Sequence, residues 1–143
     1  MKALNFDKLT SLDEINAMGR GTASESLGIE FTEIGADYLV ARMPVDRRTY
    51  QPAGLLHGGA SVLLAETLGS VAGTLCVHAQ GKAVVGLEIN ANHLRAVRDG
   101  WVYGKVTPIH LGRSTQIWDI RIHTEDEKPV CVSRLTIAVV DRG

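Results

Sequence analysis

QPAGLLHGGASVLLAETLGSVAG, from Gln51 to Gly73, is the stretch on which the fold turns. From Gly58 to Val77 the only charge is Glu66. A membrane-spanning helix needs about 20 predominantly apolar residues and basic flanks to orient it. Here much of the apolar content is Ala and Gly, and Ser61, Thr67, Ser70 and Thr74 interrupt it. The spacing predicts instead a helix over Gly58 to His78, buried inside a soluble domain. Its packing face is expected to use Val62, Leu63, Leu64, Leu68, Val71 and Leu75, while Gly69, Ala72 and Gly73 let backbone come close.

Outward from this helix the chain reads as strands. On the N-terminal side, Ile29 to Ile34 and Asp37 to Met43 flank a turn at Gly35, Ala36 and Asp37, which predicts a hairpin. Tyr38, Val40 and Arg42 alternate with Leu39, Ala41 and Met43, the period of a half-buried strand. Ahead of them, Ser11 stands three residues before Glu14, a capping box that would open a helix over Leu12 to Met18. A further helical turn is expected at Ala23 to Leu27, and Pro44 to Leu56 reads as a loop. On the C-terminal side, strands are expected over Ala83–Ala91, Trp101–His110, Ser114–Thr124 and Val130–Val140, with turns at Asp99-Gly100, Gly112 and Glu125 to Pro129. The fold class is therefore α+β, an antiparallel sheet against one long helix, because strands joined by short turns pair antiparallel.

The chain has 143 residues, 45% hydrophobic and 22% charged, which suits a single domain over 1–143 with a real core. Its formal net charge of -1 supplies no field that would recruit nucleic acid or an anionic membrane. An anionic ligand must be held by local positive groups. Cys76 and Cys131 form no CxxC pair, and MKALNFDKLTSLDE lacks the apolar core of a signal peptide, so buried thiols and a cytoplasmic location are expected. No two histidines stand at i+3 or i+4, which argues against a metal site.

Glu66 is the chemical anomaly. An isolated carboxylate in an apolar helix either reaches solvent at a helix edge or is placed for general-base or nucleophilic work. The only polar residue at helical spacing from it is Ser70, at i+4. The helix start, His57-Gly58-Gly59, offers unpaired N–H groups and the positive end of the dipole, with no side chain at glycine to block a ligand oxygen. A donor for a carbonyl oxygen together with a carboxylate is the minimum equipment for acyl transfer. Gly58 and Glu66 lie roughly 12 Å apart along the axis at 1.5 Å per residue, too far to act on one carbonyl. Two helices side by side would bring the start of one to the middle of the other, so the spacing predicts a site shared between subunits. His57 could cap the helix or donate to a substrate, and Gln51 offers a neutral amide from a Pro-flanked loop. His93, Arg95, Arg98, His110 and Arg113 stand near strand ends where phosphates could meet them. Trp101, Tyr103 and Trp118 are expected to pack on the sheet.

The Gln51–Gly73 run resembles the signature of the hotdog-fold acyl-CoA thioesterases. VVGLEINANHLR (Val84 to Arg95), PIHLGRSTQIW (Pro108 to Trp118), MPVDRRT (Met43 to Thr49) and SRLT (Ser133 to Thr136) extend the likeness over nearly the whole chain. It is most similar to the subgroup that includes the 1,4-dihydroxy-2-naphthoyl-CoA hydrolase and the proofreading thioesterase of enterobactin synthesis, within the phenylacetate-degradation-type superfamily. The resemblance implies a sheet wrapped around the central helix and hydrolysis of acyl-CoA, with an aromatic or hydroxyaromatic acyl group. It implies Glu66 as catalytic carboxylate and Gly58 N–H as carbonyl donor. Gln51 and His57 would position substrate, and Ser70 would position water or the carboxylate. Coenzyme A would be received by Gly86, Leu87, Glu88 and Ile89, by His93, Leu94, Arg95 and Ala96, and by His110, Leu111, Gly112, Arg113, Ser114 and Thr115. Arg95 and Arg113 would contact phosphate. No cofactor is implied beyond the CoA of the substrate. Homodimers with shared sites, pairing into homotetramers, are expected, and substrate preference could diverge at Tyr50, Trp101 and Tyr103. A hydratase or dehydratase of the same fold and a non-catalytic acyl-CoA-binding domain are the competing readings.

Overall fold

The computed structural model describes residues 3–143; Met1 and Lys2, part of the domain expected over 1–143, lie outside the described residues. Among the described residues, four α-helices and six strands follow one another in the order α1 (Phe6–Leu9), α2 (Leu12–Met18), α3 (Ala23–Ser26), β1 (Glu30–Ile34), β2 (Leu39–Pro44), α4 (Gly58–Val77), β3 (Lys82–His93), β4 (Trp101–Leu111), β5 (Thr115–Thr124) and β6 (Pro129–Asp141). The strands form one antiparallel sheet in the order β1-β2-β4-β5-β6-β3.

Local signals account for most elements. Ser11 Oγ accepts from Glu14 N–H at 3.2 Å, as a capping box requires. The reciprocal half differs, because Glu14 takes the Thr10 hydroxyl rather than the cap's own N–H. In β2 the alternation holds, with Leu39, Ala41 and Met43 fully buried. α1 went unread in the sequence: four residues suffice for it because Phe6 is fully buried, its ring 6.3 Å from that of Trp118.

Three expectations change. Sequence neighbours β3 and β4 do not pair; β3 crosses to the far edge and pairs with β6. The packing face of α4 is also different. Its buried residues are Ala60, Ser61, Leu64, Ala65, Leu68, Gly69, Ala72, Gly73 and Val77, whereas Val62, Leu63, Val71 and Leu75 are only half-buried. The expected Leu64, Leu68, Gly69, Ala72 and Gly73 are buried; small residues take most of the rest of the stripe, and Val62, Leu63, Val71 and Leu75 are turned aside. The helix also stops at Val77, with His78–Gln80 tightening into a 3-10 turn.

One close approach of helix to sheet is where Gly104 of β4 meets Leu68. A Cβ there would stand 2.6 Å from Leu68 Cδ1 and 3.5 Å from Leu64 Cδ2, both in side chains with no exposure. Gly104→Ala should therefore be destabilising: overpacking costs about 1–3 kcal/mol, against roughly 0.5–1 kcal/mol recovered from the reduced freedom of the unfolded chain. A lower urea midpoint than wild type is the expected result, and an unchanged or raised one would contradict this packing.

Candidate active site

The start of α4 is organised by its own cap. His57 Nδ1 accepts from Gly59 N–H at 2.8 Å, which leaves the ring proton on Nε2, turned away from the helix as a donor. The His57 carbonyl accepts from Ala60 and Ser61. Gly58 N–H has no acceptor among the described residues, so it remains the unpaired donor of the first turn. Gln51 turns its amide oxygen to Ala53 N–H, and its NH2 group is left as the free end. Gln51 and Gly58 line a pocket of about 450 Å³ together with Leu56, Ser61, His93, Leu94, Arg95 and Ala96; His57 is not part of its lining. His93 packs directly over Gly58, where a Cβ would come within 2.9 Å of its Nε2.

Glu66 lies on a different wall. Leu63, Glu66, Thr67, Ser70 and Val71 recur at helical spacing and face a cavity of about 390 Å³. Its opposite side is built by Ile15, Asn16, Met18, Thr22, Ala23 and Ser24 of the N-terminal segment, with Ile29 and Phe31. The two large residues turned away from the sheet, Leu63 and Val71, thus find their surface here. Among the described residues no cation pairs with Glu66. Its carboxylate rests over Gly86 of β3, where a Cβ would stand 2.7 Å from Oε2. The β3–β6 register slips between Gly86 and Glu88, a bulge that aims the edge strand locally.

Gly86 therefore supplies room for the carboxylate. In Gly86→Ala the added methyl meets only the flexible end of Glu66, so the carboxylate moves and the fold does not. A displacement near 1 Å can cost about 10²-fold in rate. The expected outcome is a loss of that order in kcat with an unaltered unfolding midpoint, and retention of full kcat would remove Gly86 from the site.

The structure brings some of the other candidates together and separates the rest. Gly86 to Ile89 lie along the outer edge of β3, beside Glu66, with Val85 50% and Leu87 62% exposed. His93 to Ala96 adjoin Gly58 at the end of that strand. His110 to Thr115 form the β4–β5 turn at the opposite end of the sheet, where Leu111, Gly112 and Arg113 border a cavity with Leu75, Cys76 and Lys82. Register locates the two ends: Thr115 pairs with Ala138, which pairs with Val85, whereas Ile122 pairs with Cys131, which pairs with His93. Val85 and His93 are eight positions apart along β3, roughly 26 Å at 3.3 Å per step, so Arg95 and Arg113 do not meet within one chain.

Tyr50, Trp101 and Tyr103 lie away from the Glu66 cavity. Tyr50 donates to the Arg98 carbonyl at 2.8 Å, Trp101 lies under the Arg42 guanidinium at 4.0 Å, and Tyr103 stacks on His123. Trp118 is fully buried in the core. Burial pushes the Cys76 thiol up to about 11 and raises that of Cys131, which makes neither a thiolate nucleophile near neutral pH. Among the described residues no three His, Cys, Asp or Glu side chains gather as metal ligands. The cavity wall from α2 and α3 was not legible as part of a site. Its sequence signals, the capping box and the helical turn at Ala23 to Leu27, announce helices but not what they cover.

The chain matches the profile of the thioesterase superfamily over residues 53–131. It is 55% identical over 130 residues to the 1,4-dihydroxy-2-naphthoyl-CoA hydrolase of Escherichia coli, covering 91% of this chain and 95% of that protein. A proofreading thioesterase, EntH, of Cronobacter turicensis is also 55% identical, with coverages of 91% and 94%. Among solved structures, a thioesterase from Haemophilus influenzae superposes with a TM-score of 0.93 at 52% identity, covering 97% of this chain and 96% of its own.

Proposed function

Since the chain belongs to the thioesterase superfamily and has its hotdog fold, we propose that it hydrolyses aromatic or hydroxyaromatic acyl-CoA thioesters to the free acid and CoA, with Glu66 as the reacting carboxylate. That it is a thioester hydrolase follows from its relatives, which are named as thioesterases and as a CoA-ester hydrolase. The observation that carries the finer reading is Glu66 on the wall of a largely apolar cavity, unpaired and seated over a glycine. The acyl group occupies that cavity, whose volume falls in the lower part of the range for small-molecule sites.

The catalytic step balances in either of two ways. Glu66 takes a proton from water as the water oxygen bonds to the carbonyl carbon, the C–S bond breaks, and the proton passes to the departing thiolate. Alternatively the carboxylate itself bonds to the carbonyl carbon, expels the thiolate, and the resulting anhydride is cleaved by water. In both, Gly58 N–H faces the oxygen that gains negative charge, with the Gln51 amide and His57 Nε2–H available to orient it.

The partner of each Glu66 is the helix start of a second chain. Two observations support this: Gly58 and Glu66 open onto different cavities of one chain, and the outer edge of β3 is unpaired and presents exposed Val85 and Leu87. Antiparallel pairing of two β3 edges would carry the Arg95 end of one chain to the Arg113 end of the other, giving one CoA both arginines. Such dimers pair further into tetramers.

The test is a kcat/KM comparison across benzoyl-, phenylacetyl-, naphthoyl- and fatty acyl-CoA, read as thiol release. The aromatic esters should lead. Hydration of an enoyl-CoA without thiol release would favour a hydratase, and tight CoA-ester binding with no turnover would favour a binding domain.

A further inference from the structure

The cavity beside Glu66 is largely apolar, but on one wall two hydroxyls from distant parts of the chain meet. Ser24 Oγ of α3 and Thr67 Oγ1 of α4 stand 3.3 Å apart. Thr67 donates its single proton to the Leu63 carbonyl at 2.7 Å. The proton between the two hydroxyls is therefore Ser24's, and Thr67 accepts it. Ser24 Oγ is left with lone pairs and no donor among the described residues, facing the cavity as an acceptor.

The other polar residues on these walls are differently engaged. Asn16 uses both ends of its amide on Phe31, accepting from its N–H at 2.8 Å and donating to its carbonyl at 3.1 Å. Thr22 turns its hydroxyl to the Gly19 carbonyl at 2.6 Å. Glu66 and Ser70, one turn apart on α4, are the residues the proposed reaction uses. Ser24 is thus the acceptor held in place by a contact between α3 and the catalytic helix.

We infer that Ser24, oriented by Thr67, is a specificity residue that reads a hydroxyl on the acyl group. This rests on the reading of the cavity as the acyl site. A substrate O–H donates to Ser24 Oγ while Ser24 continues to donate to Thr67. An acyl group without that hydroxyl displaces water from Ser24 and returns nothing, which makes discrimination of this kind larger than shape alone provides.

The test compares kcat/KM for 2-, 3- and 4-hydroxybenzoyl-CoA with that for benzoyl-CoA in wild type, Ser24→Ala, Thr67→Val and the double variant. Wild type should favour its best hydroxy isomer by at least about tenfold, the scale of one hydrogen bond to a neutral group. Ser24→Ala should bring that ratio close to one, with the loss concentrated on the hydroxylated ester. Thr67→Val should lower the ratio in the Ser24 background and leave it nearly unmoved in the Ser24→Ala background, the coupling expected of a pair acting as a unit. A ratio that Ser24→Ala leaves intact, an equal fall on both esters, or a wild-type preference for benzoyl-CoA would overturn the assignment while thioester hydrolysis stands. No thiol release from any of the four esters would overturn it together with the reading of the active site.

Discussion

Glu66→Gln is expected to lower kcat by at least about 10³-fold on every CoA thioester that the wild type hydrolyses, since the substitution removes the charge needed by either route and leaves only binding and the donor at Gly58. The change is nearly isosteric. Glu66 makes no ion pair among the described residues, so its neutralisation breaks no structural contact there. The variant should unfold at the wild-type temperature and retain its affinity for CoA esters. Thiol release under saturating substrate reads the first quantity and thermal unfolding the second. Undiminished turnover in a folded variant would show that another group does the chemistry. The contrast with Gly86→Ala is informative, because one variant removes the carboxylate and the other only moves it. The second loss should be smaller.

Gly58→Pro should abolish most of the remaining catalysis from the other side of the site. Removing one donor to a developing oxyanion costs about 10²–10³ in kcat. Proline suits this test for a structural reason. It is favoured at the first position of a helix, where the missing N–H had no intrahelical partner. The residue before it must be extended, and His57 already is, at φ -72° and ψ 129°. The added ring does approach His93, so Gly58→Ala serves as control: it brings the same Cβ toward Nε2 but keeps the N–H. A large loss in the proline variant with a modest one in the alanine variant isolates the donor. Equal losses would mean that crowding of His93 explains both.

These two variants also test the sharing of sites. When Glu66→Gln and Gly58→Pro chains are mixed and allowed to exchange, half of the dimers formed at random are mixed. Each mixed dimer carries one site with an intact carboxylate from one chain and an intact N–H from the other, so about a quarter of wild-type activity should return. Mixed dimers that form and remain inactive would place both groups of a working site on one chain.

Much was legible before any coordinates. The helix from Gly58 and all six strands could be read because burial writes itself locally, as period-two alternation in Leu39, Ala41 and Met43 and as an apolar run with one carboxylate around Glu66. The donor at Gly58 was legible from the chemistry of helix ends, and its separation from Glu66 from the rise per residue. Short turns made the β1–β2, β4–β5 and β5–β6 neighbours legible but not that of β3, which reaches β6 rather than β4 only when the sheet closes round the helix. The sequence was misleading on the helix face. Val62, Leu63, Val71 and Leu75 look like the packing stripe by size, but the helix puts Leu64 and Leu68 over Gly104 and Gly69 against Leu135 instead.

The consequences for the site follow from that close approach. By itself the sequence singled out one carboxylate and one helix start as candidates, and put them too far apart to act on one carbonyl from one helix. Only the tertiary structure decided what surrounds them: Gly86 beneath the carboxylate, Leu63 and Val71 turned into an acyl-sized cavity, and Ser24 brought across to Thr67. Local pattern records how deeply a residue is buried. It does not record its neighbour, since that depends on contacts made between segments distant in the chain, each reached only after the others have closed.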